Sequence, residues 1–269
     1  MIKPASLGGN FALANDPAPR RMVVALDGLE KMGKTSWALT APGPIAIQNL
    51  DIGAEGVIQK FQSEKQIWLA EYGVRPDKGD TQEKVMQRAA PEWENFVKDW
   101  KDVVVPALKA GTIRTAIWDT GSEIWELQRL ARFGKLTQIL PHNYTALNAE
   151  YQGLIRAVYE TTGNLVILHK LKAEWKDNPA TGKGNKTGQY ERAGYAGTGF
   201  LVQINATVWR ERKPTDGPTS GPTGSFHLTI RDCRQNPAAA GVDLVDEMAT
   251  FPWMGVHVYP DSDLSDWGG

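Results

Sequence analysis

With one cysteine, Cys233, in 269 residues the chain cannot close an internal disulfide, and no Cys/His cluster has zinc-ligand spacing. A disulfide scaffold and a structural zinc module are therefore both excluded, and a reducing, cytoplasmic setting is expected. No apolar run approaches the ~18 residues that cross a bilayer, so no membrane partner is expected. The N-terminus carries Lys3 but no apolar stretch or small-residue cleavage site, so no signal peptide is expected. Neither sign of charge is in large excess: the net charge is −1, which gives no general affinity for polyanions.

The charge is nevertheless unevenly spread. Residues 170–234 hold 11 Lys/Arg against 6 Asp/Glu, whereas residues 235–269 hold 6 acids and no Lys or Arg. A basic segment followed by an acidic tail suggests an anionic ligand on one face and a solvated tail. Ordinary scatter of surface charge is the plain alternative.

What the chain has in quantity is glycine, 27 residues, and one group of them is ordered. Residues 28–35 read Gly28-Leu29-Glu30-Lys31-Met32-Gly33-Lys34-Thr35 and fit G-x-x-x-x-G-K-[ST] at every fixed position. The apolar run Met22-Val23-Val24-Ala25-Leu26 precedes it, and Ser36-Trp37-Ala38-Leu39 suits the helix that must follow. In such a strand–loop–helix the backbone N–H groups cradle phosphates. The lysine reaches the β/γ oxygens and the hydroxyl ligates Mg²⁺. ATP and Mg²⁺ are the expected cofactors, held by Gly28, Lys31, Met32, Gly33, Lys34, Thr35 and Ser36.

The rest of the chain alternates strands with helices. Strands are expected at 45–47, 113–119 and 165–168, and helices from Pro91 (with Trp93, Phe96, Trp100 and Val104 on one face), over 122–133 and over 144–161. Pro106 is expected to interrupt the first of these helices. Residues 57–80 fit no element. Residues 176–199, rich in Gly, Lys, Asn and Thr, read as a long mobile loop, and two late strands near 203–210 and 225–232 follow. The expected fold is α/β, with a mainly parallel central sheet flanked by helices and antiparallel edge strands. Residues 1–20 read as an arm, 21–235 as the core and 236–269 as a segment ending in a disordered acidic tail.

Several polar residues end expected strands. Asp119 closes an apolar strand and suits the second, metal-orienting acid of a nucleotide site, with Thr35 as the other metal ligand; an acid beside Thr120 and Ser122 also suits a helix N-cap. Asp51, after the second strand, is the first choice for the carboxylate that orients the attacking water, and Glu55 the runner-up. His169 ends a strand expected beside the nucleotide, where it would sense the γ-phosphate; a structural histidine is the plain alternative. Lys170, Lys172, Lys176, Lys183, Lys186 and Arg192, interleaved with Tyr190, Tyr195 and Phe200, combine cations with ring faces as single-strand nucleic-acid binding does. Solvated surface lysines are the alternative.

The order of these motifs, in GLEKMGKTSWALTAPGP (28–44), NLDIGAEGV (49–57), TAIWDTGSEIWEL (115–127) and LVILHKLKAEW (165–175), resembles the ATPase core of RecA-type recombinases. It is most similar to phage AAA-type nucleotide-binding proteins, core-only RecA relatives used in single-strand annealing and recombination. The resemblance covers roughly residues 20–235. It implies a RecA-like P-loop NTPase core with Asp51 at the catalytic carboxylate, where that family usually has glutamate, so Glu55 stays in play beside Lys34. His169 would relay nucleotide state to a DNA-binding loop at 176–199. Phe11-Ala12-Leu13-Ala14 matches the F-x-x-A hook by which such proteins hold a neighbouring subunit, with Phe11 and Ala14 as its fixed residues. The implied partners are single-stranded DNA, further copies of the chain in a ring or filament, and a single-strand-binding or other replication protein. A phosphotransferase for a small metabolite and a nucleotide-gated assembly component are the alternative readings.

Overall fold

Met22–Leu26 is apolar at every position, and a strand apolar on both faces has to be covered on both. It is central, with no exposed side chain along that run. The computed structural model describes residues 20–51, 54–136, 140–177, 184–217 and 221–269. In chain order its elements are β1 (Val23–Gly28), α1 (Lys34–Ala38), β2 (Ile45–Asn49), α2 (Glu55–Ile58), β3 (Ile67–Glu71), α3 (Gln82–Asp99), α4 (Val105–Ala110), β4 (Thr115–Asp119), α5 (Gly121–Phe133) and α6 (Tyr144–Ala157). Then come β5 (Asn164–Asp177), β6 (Gly184–Arg192), α7 (Thr198–Leu201), β7 (Ile204–Arg210), β8 (Phe226–Cys233), β9 (Asp243–Val245) and α8 (Phe251–Val258).

Among the described residues the sheet runs β3, β2, β4, β5, β1, β7, β8, β9, with β6 paired to the outer half of β5. The strands from β3 to β7 are parallel, and β8 and β9 are antiparallel at one edge. This is the expected α/β class. Alternation along β1 sends Met22, Val24 and Leu26 to one core with Trp37, Leu39, Phe251 and Met254. It sends Val23 and Ala25 to the other, under α3, α5 and α6, with Phe96, Trp100, Trp118 and Tyr151. Among the described residues no helix is long and apolar enough to cross a membrane.

Five expectations need correction. Pro91 does not start a helix; it lies on the exposed side of α3, which begins nine residues earlier where the Thr81 hydroxyl accepts the Lys84 N–H. The interruption expected at Pro106 is a π-helical turn, Trp100–Val104, just ahead of α4. The unplaced stretch 57–80 contains the edge strand β3, parallel to β2.

The expected loop 176–199 is largely a β-hairpin: β5 runs on to Asp177, and β6 pairs with it from Leu171↔Arg192 to Asp177↔Gly184. Cross-strand partners hold it, namely Lys172–Glu191 at 3.1 Å, Thr187–Glu174 at 2.7 Å and the Lys186 ammonium over the Trp175 ring.

Nor is the acidic segment a free tail. Phe251, Met254, Val258 and Trp267 join the core beneath β1, so residues 236–269 are continuous with it. Arg20 pairs with Asp261 at 2.6 Å and Asp266 at 3.2 Å, and Arg114 donates to the Asp266 carbonyl. Arg20 and Arg114 lie at the beginnings of β1 and β4, the end of the sheet opposite the glycine loop.

Candidate functional site

The glycine-rich stretch 28–35 is the turn from β1 into α1. Gly33 takes φ +87, in the left-handed region that disfavours side chains, and a Cβ there would meet the Phe226 ring at 3.3 Å. A Cβ on Gly28 would come within 2.9 Å of Val208, because β7 runs alongside. The Lys34 ammonium donates to the loop's own carbonyls, Gly28 at 2.9 Å and Leu29 at 2.8 Å. Burial lowers its pKa, against the opposing charges of Asp119 and Asp51.

The Thr35 hydroxyl donates to Oδ2 of Asp119 at 2.8 Å, joining the first turn of α1 to the tip of β4. Asp119 is 3% exposed, and burial, reinforced by the charge of Asp51, raises its pKa to about 6. The α5 N-cap is Thr120, whose hydroxyl accepts the Glu123 N–H, so the capping role considered for Asp119 belongs to its neighbour. Hydroxyl and carboxylate oxygens are hard donors and fit Mg²⁺. Among the described residues no group of three or more His, Cys, Asp or Glu forms a cage, but Mg²⁺ in nucleotide sites relies on one or two such ligands plus phosphate oxygens. Lys31, Met32, Gly33, Lys34, Thr35 and Ser36 line one cleft of about 660 Å³ with Asp51, Asp119 and Lys170.

A second chamber of about 650 Å³ opens beside the cleft and shares Asp51 and Lys170 with it. Lys170 bridges the Asp51 carboxylate at 3.3 Å and Glu123 at 2.8 Å. Burial works against the charge on Lys170, but the hydrogen bond and charge of Glu123, with Asp51, raise its pKa overall. Asp51 therefore faces the phosphate cleft, whereas Glu55, in the first turn of α2, lines the chamber. Tyr72 and Arg75, which sequence reading passed over, also line the chamber, and no motif marks either.

His169 does not line the cleft, in contrast to its expected contact with phosphate. Alternation along β5 turns Leu168 toward α1 and His169 to the opposite face. There it is fully buried, with Nδ1 3.2 Å from the Ala193 carbonyl and Nε2 without a hydrogen-bond partner among the described residues. Burial, with the charge of Arg192 adding, pushes its pKa down to about 3, so the ring is neutral near pH 7. Beside it in register is Asp27, wholly buried, which Arg192 grips at 2.6 Å and Arg231 also contacts. Asp27 is the residue before Gly28, and its signal was an acid closing an otherwise apolar strand.

No family model and no curated protein matches the chain. Among solved structures it is similar to the flagellar accessory protein FlaH from Methanocaldococcus jannaschii, with TM-score 0.39 and 10% identity over 84% of this chain and 85% of that one.

The residues expected to bind DNA divide into groups. Lys172, Lys176, Lys186 and Tyr190 are exposed on the hairpin, and so is Trp175, which the sequence reading did not single out. Lys170 is held in the cleft. Arg192 turns inward, and its guanidinium is committed to Asp27 and Asn205. Tyr195 is half-buried and packs against Trp125 and Tyr151, away from the exposed rings of the hairpin. Lys183, Phe11 and Ala14 lie outside the described residues.

Proposed function

We propose that this chain is a Mg²⁺-dependent P-loop ATPase with a RecA-like core whose turnover responds to single-stranded DNA held on its hairpin. The observation that carries the nucleotide half is the Thr35–Asp119 contact of 2.8 Å beneath the glycine loop, with Lys34 in the same cleft. Lys34 would meet the β/γ oxygens, and Thr35 and Asp119 would hold the metal, which supplies charge neutralisation of the phosphates. Asp51 would orient the attacking water, with Glu55 as the alternative. The hairpin's exposed Lys172, Lys176, Lys186, Trp175 and Tyr190 support the DNA half. Annealing or strand exchange in phage recombination, and a ring or filament joined through Phe11 and Ala14, follow from the sequence resemblance.

A second reading, phosphoryl transfer to a small acceptor, is favoured by the chamber beside the cleft, which Asp51 and Lys170 also line. The deciding measurement is ATP hydrolysis with and without single-stranded DNA, using Lys34→Ala as the blank. Stimulation by DNA that is lost in the blank is the expected result. A rate indifferent to DNA would overturn the DNA half, and a phosphorylated small molecule would establish the second reading.

A further inference from the structure

Three arginines from two parts of the chain converge on the face of the sheet opposite α1. Arg192 ends the hairpin, Arg231 lies on β8 and Arg234 just follows it. With Asn205, Asp232, Gly199 and Phe200 they line a pocket of about 500 Å³ that shares no lining residue with the nucleotide cleft. The buried Asp27, which is not itself part of the lining, ties down Arg192 and Arg231. Asn205 is likewise fixed: it accepts from Arg192 at 2.9 Å and donates to Gly199 and Asp232.

This is more cation than the protein uses. A guanidinium has five N–H donors, yet among the described residues Arg231 donates one hydrogen bond, to Asp27, and Arg234 one, to the Phe200 carbonyl. Asp232 and Asp27 together leave the three guanidinium groups in excess by one charge. At the rim Phe200 is 77% exposed, the most exposed large hydrophobic among the described residues. Guanidinium forks suited to phosphate oxygens beside an open ring face are the combination that holds a phosphodiester and stacks the attached base.

We propose that this arginine pocket binds a backbone phosphate of single-stranded nucleic acid, with Phe200 stacking on the adjoining base. The pocket lies at the hairpin's foot, because Arg192 belongs to both, so a strand tracking along Lys186 and Tyr190 would run into it. The inference rests on the DNA half of the proposed function and extends it to residues off the hairpin. Because Asp27 immediately precedes Gly28, a phosphate drawing on Arg192 and Arg231 would compete with the carboxylate at the root of the glycine loop.

The test is fluorescence anisotropy of a labelled oligothymidylate over a range of salt. It compares wild type, Arg234→Gln, Phe200→Ala and a hairpin variant, Lys186→Ala with Trp175→Ala. Arg234 and Phe200 are exposed, so both pocket variants are expected to fold, and circular dichroism checks this. The expected result is binding about tenfold weaker in each pocket variant, and for Arg234→Gln a log–log salt slope shallower by about 1. Wild-type affinity and slope in both pocket variants, with loss in the hairpin variant, would overturn the pocket and leave the DNA reading standing. No binding by wild type would overturn both. Thermal shift with inorganic phosphate, in a Lys34→Ala background that weakens the P-loop, separates the sources. Stabilisation there that Arg234→Gln abolishes, without oligonucleotide binding, would assign the pocket to free phosphate instead.

Discussion

Thr35 and Asp119 are 84 residues apart in sequence and 2.8 Å apart in space, and the carboxylate that receives the hydroxyl is almost fully buried. Such an acid is held in place at a cost. Its pKa in the folded protein, about 6, lies above its ordinary 3.8, so the folded state retains a proton that the unfolded chain has released between those values. Stability therefore declines as pH rises through that window, and the full cost is present above about pH 6. Asp119→Asn is expected to stabilise the metal-free protein at pH 7 by up to about 3 kcal/mol. The gain should vanish toward pH 4, and the same variant should lose ATP hydrolysis by about 100-fold or more. Urea melts in EDTA at both pH values, beside a turnover assay, check this.

Asp27 is also a buried carboxylate, but one gripped by two arginines. Asp27→Ala would leave Arg192 charged and largely buried without its counterion, and a loss of about 3–5 kcal/mol is expected. Replacing the pair together, Asp27→Leu with Arg192→Met, should recover most of that loss, because the charge is then removed along with its partner. Equilibrium unfolding of the single and double variants reads the difference.

Two helical glycines are expected to respond with opposite signs. A Cβ on Gly121, at the start of α5, would fall 2.4 Å from Ile167 Cγ2 and 3.0 Å from His169 Cε1, so Gly121→Ala should cost about 1–3 kcal/mol. Nothing lies within 4 Å of a Cβ on Gly153 in α6, and Gly153→Ala should add about 0.5–1 kcal/mol through helix propensity alone. Paired thermal melts decide both.

The parts of this molecule legible in sequence were those where a local rule and the tertiary structure agree. The glycine loop, the apolar run Met22–Leu26 that leads into it, and Asp119 at the end of an apolar strand each announce their place. Pro91 misled because proline prefers a helix's first turn, whereas here it lies inside α3 on its solvent side, where it removes one N–H from the helix ladder and packing elsewhere along α3 offsets the loss. Residues 176–199 looked like a loop because glycine, lysine and threonine are polar. Their pairing depends on β5 continuing past the sheet, which no local pattern records. His169 was placed on the right strand but the wrong face, a matter of one residue in a period of two. The arginine pocket draws on residues 192, 205, 231 and 234, and only the fold brings them together.

The strand β5 changes its allegiance part-way along. Through Lys170 it is clamped beside β1, and from Leu171 to Asp177 its strand partner among the described residues is β6 alone. In mechanical terms it is a cantilever. Those seven residues, at ~3.3 Å each, project ~23 Å, so a tilt of about 5° at the clamp would carry the tip about 2 Å. The clamp lies one strand from the glycine loop, so a displacement at the root of β1 too small to alter the core would be magnified where the hairpin meets solvent.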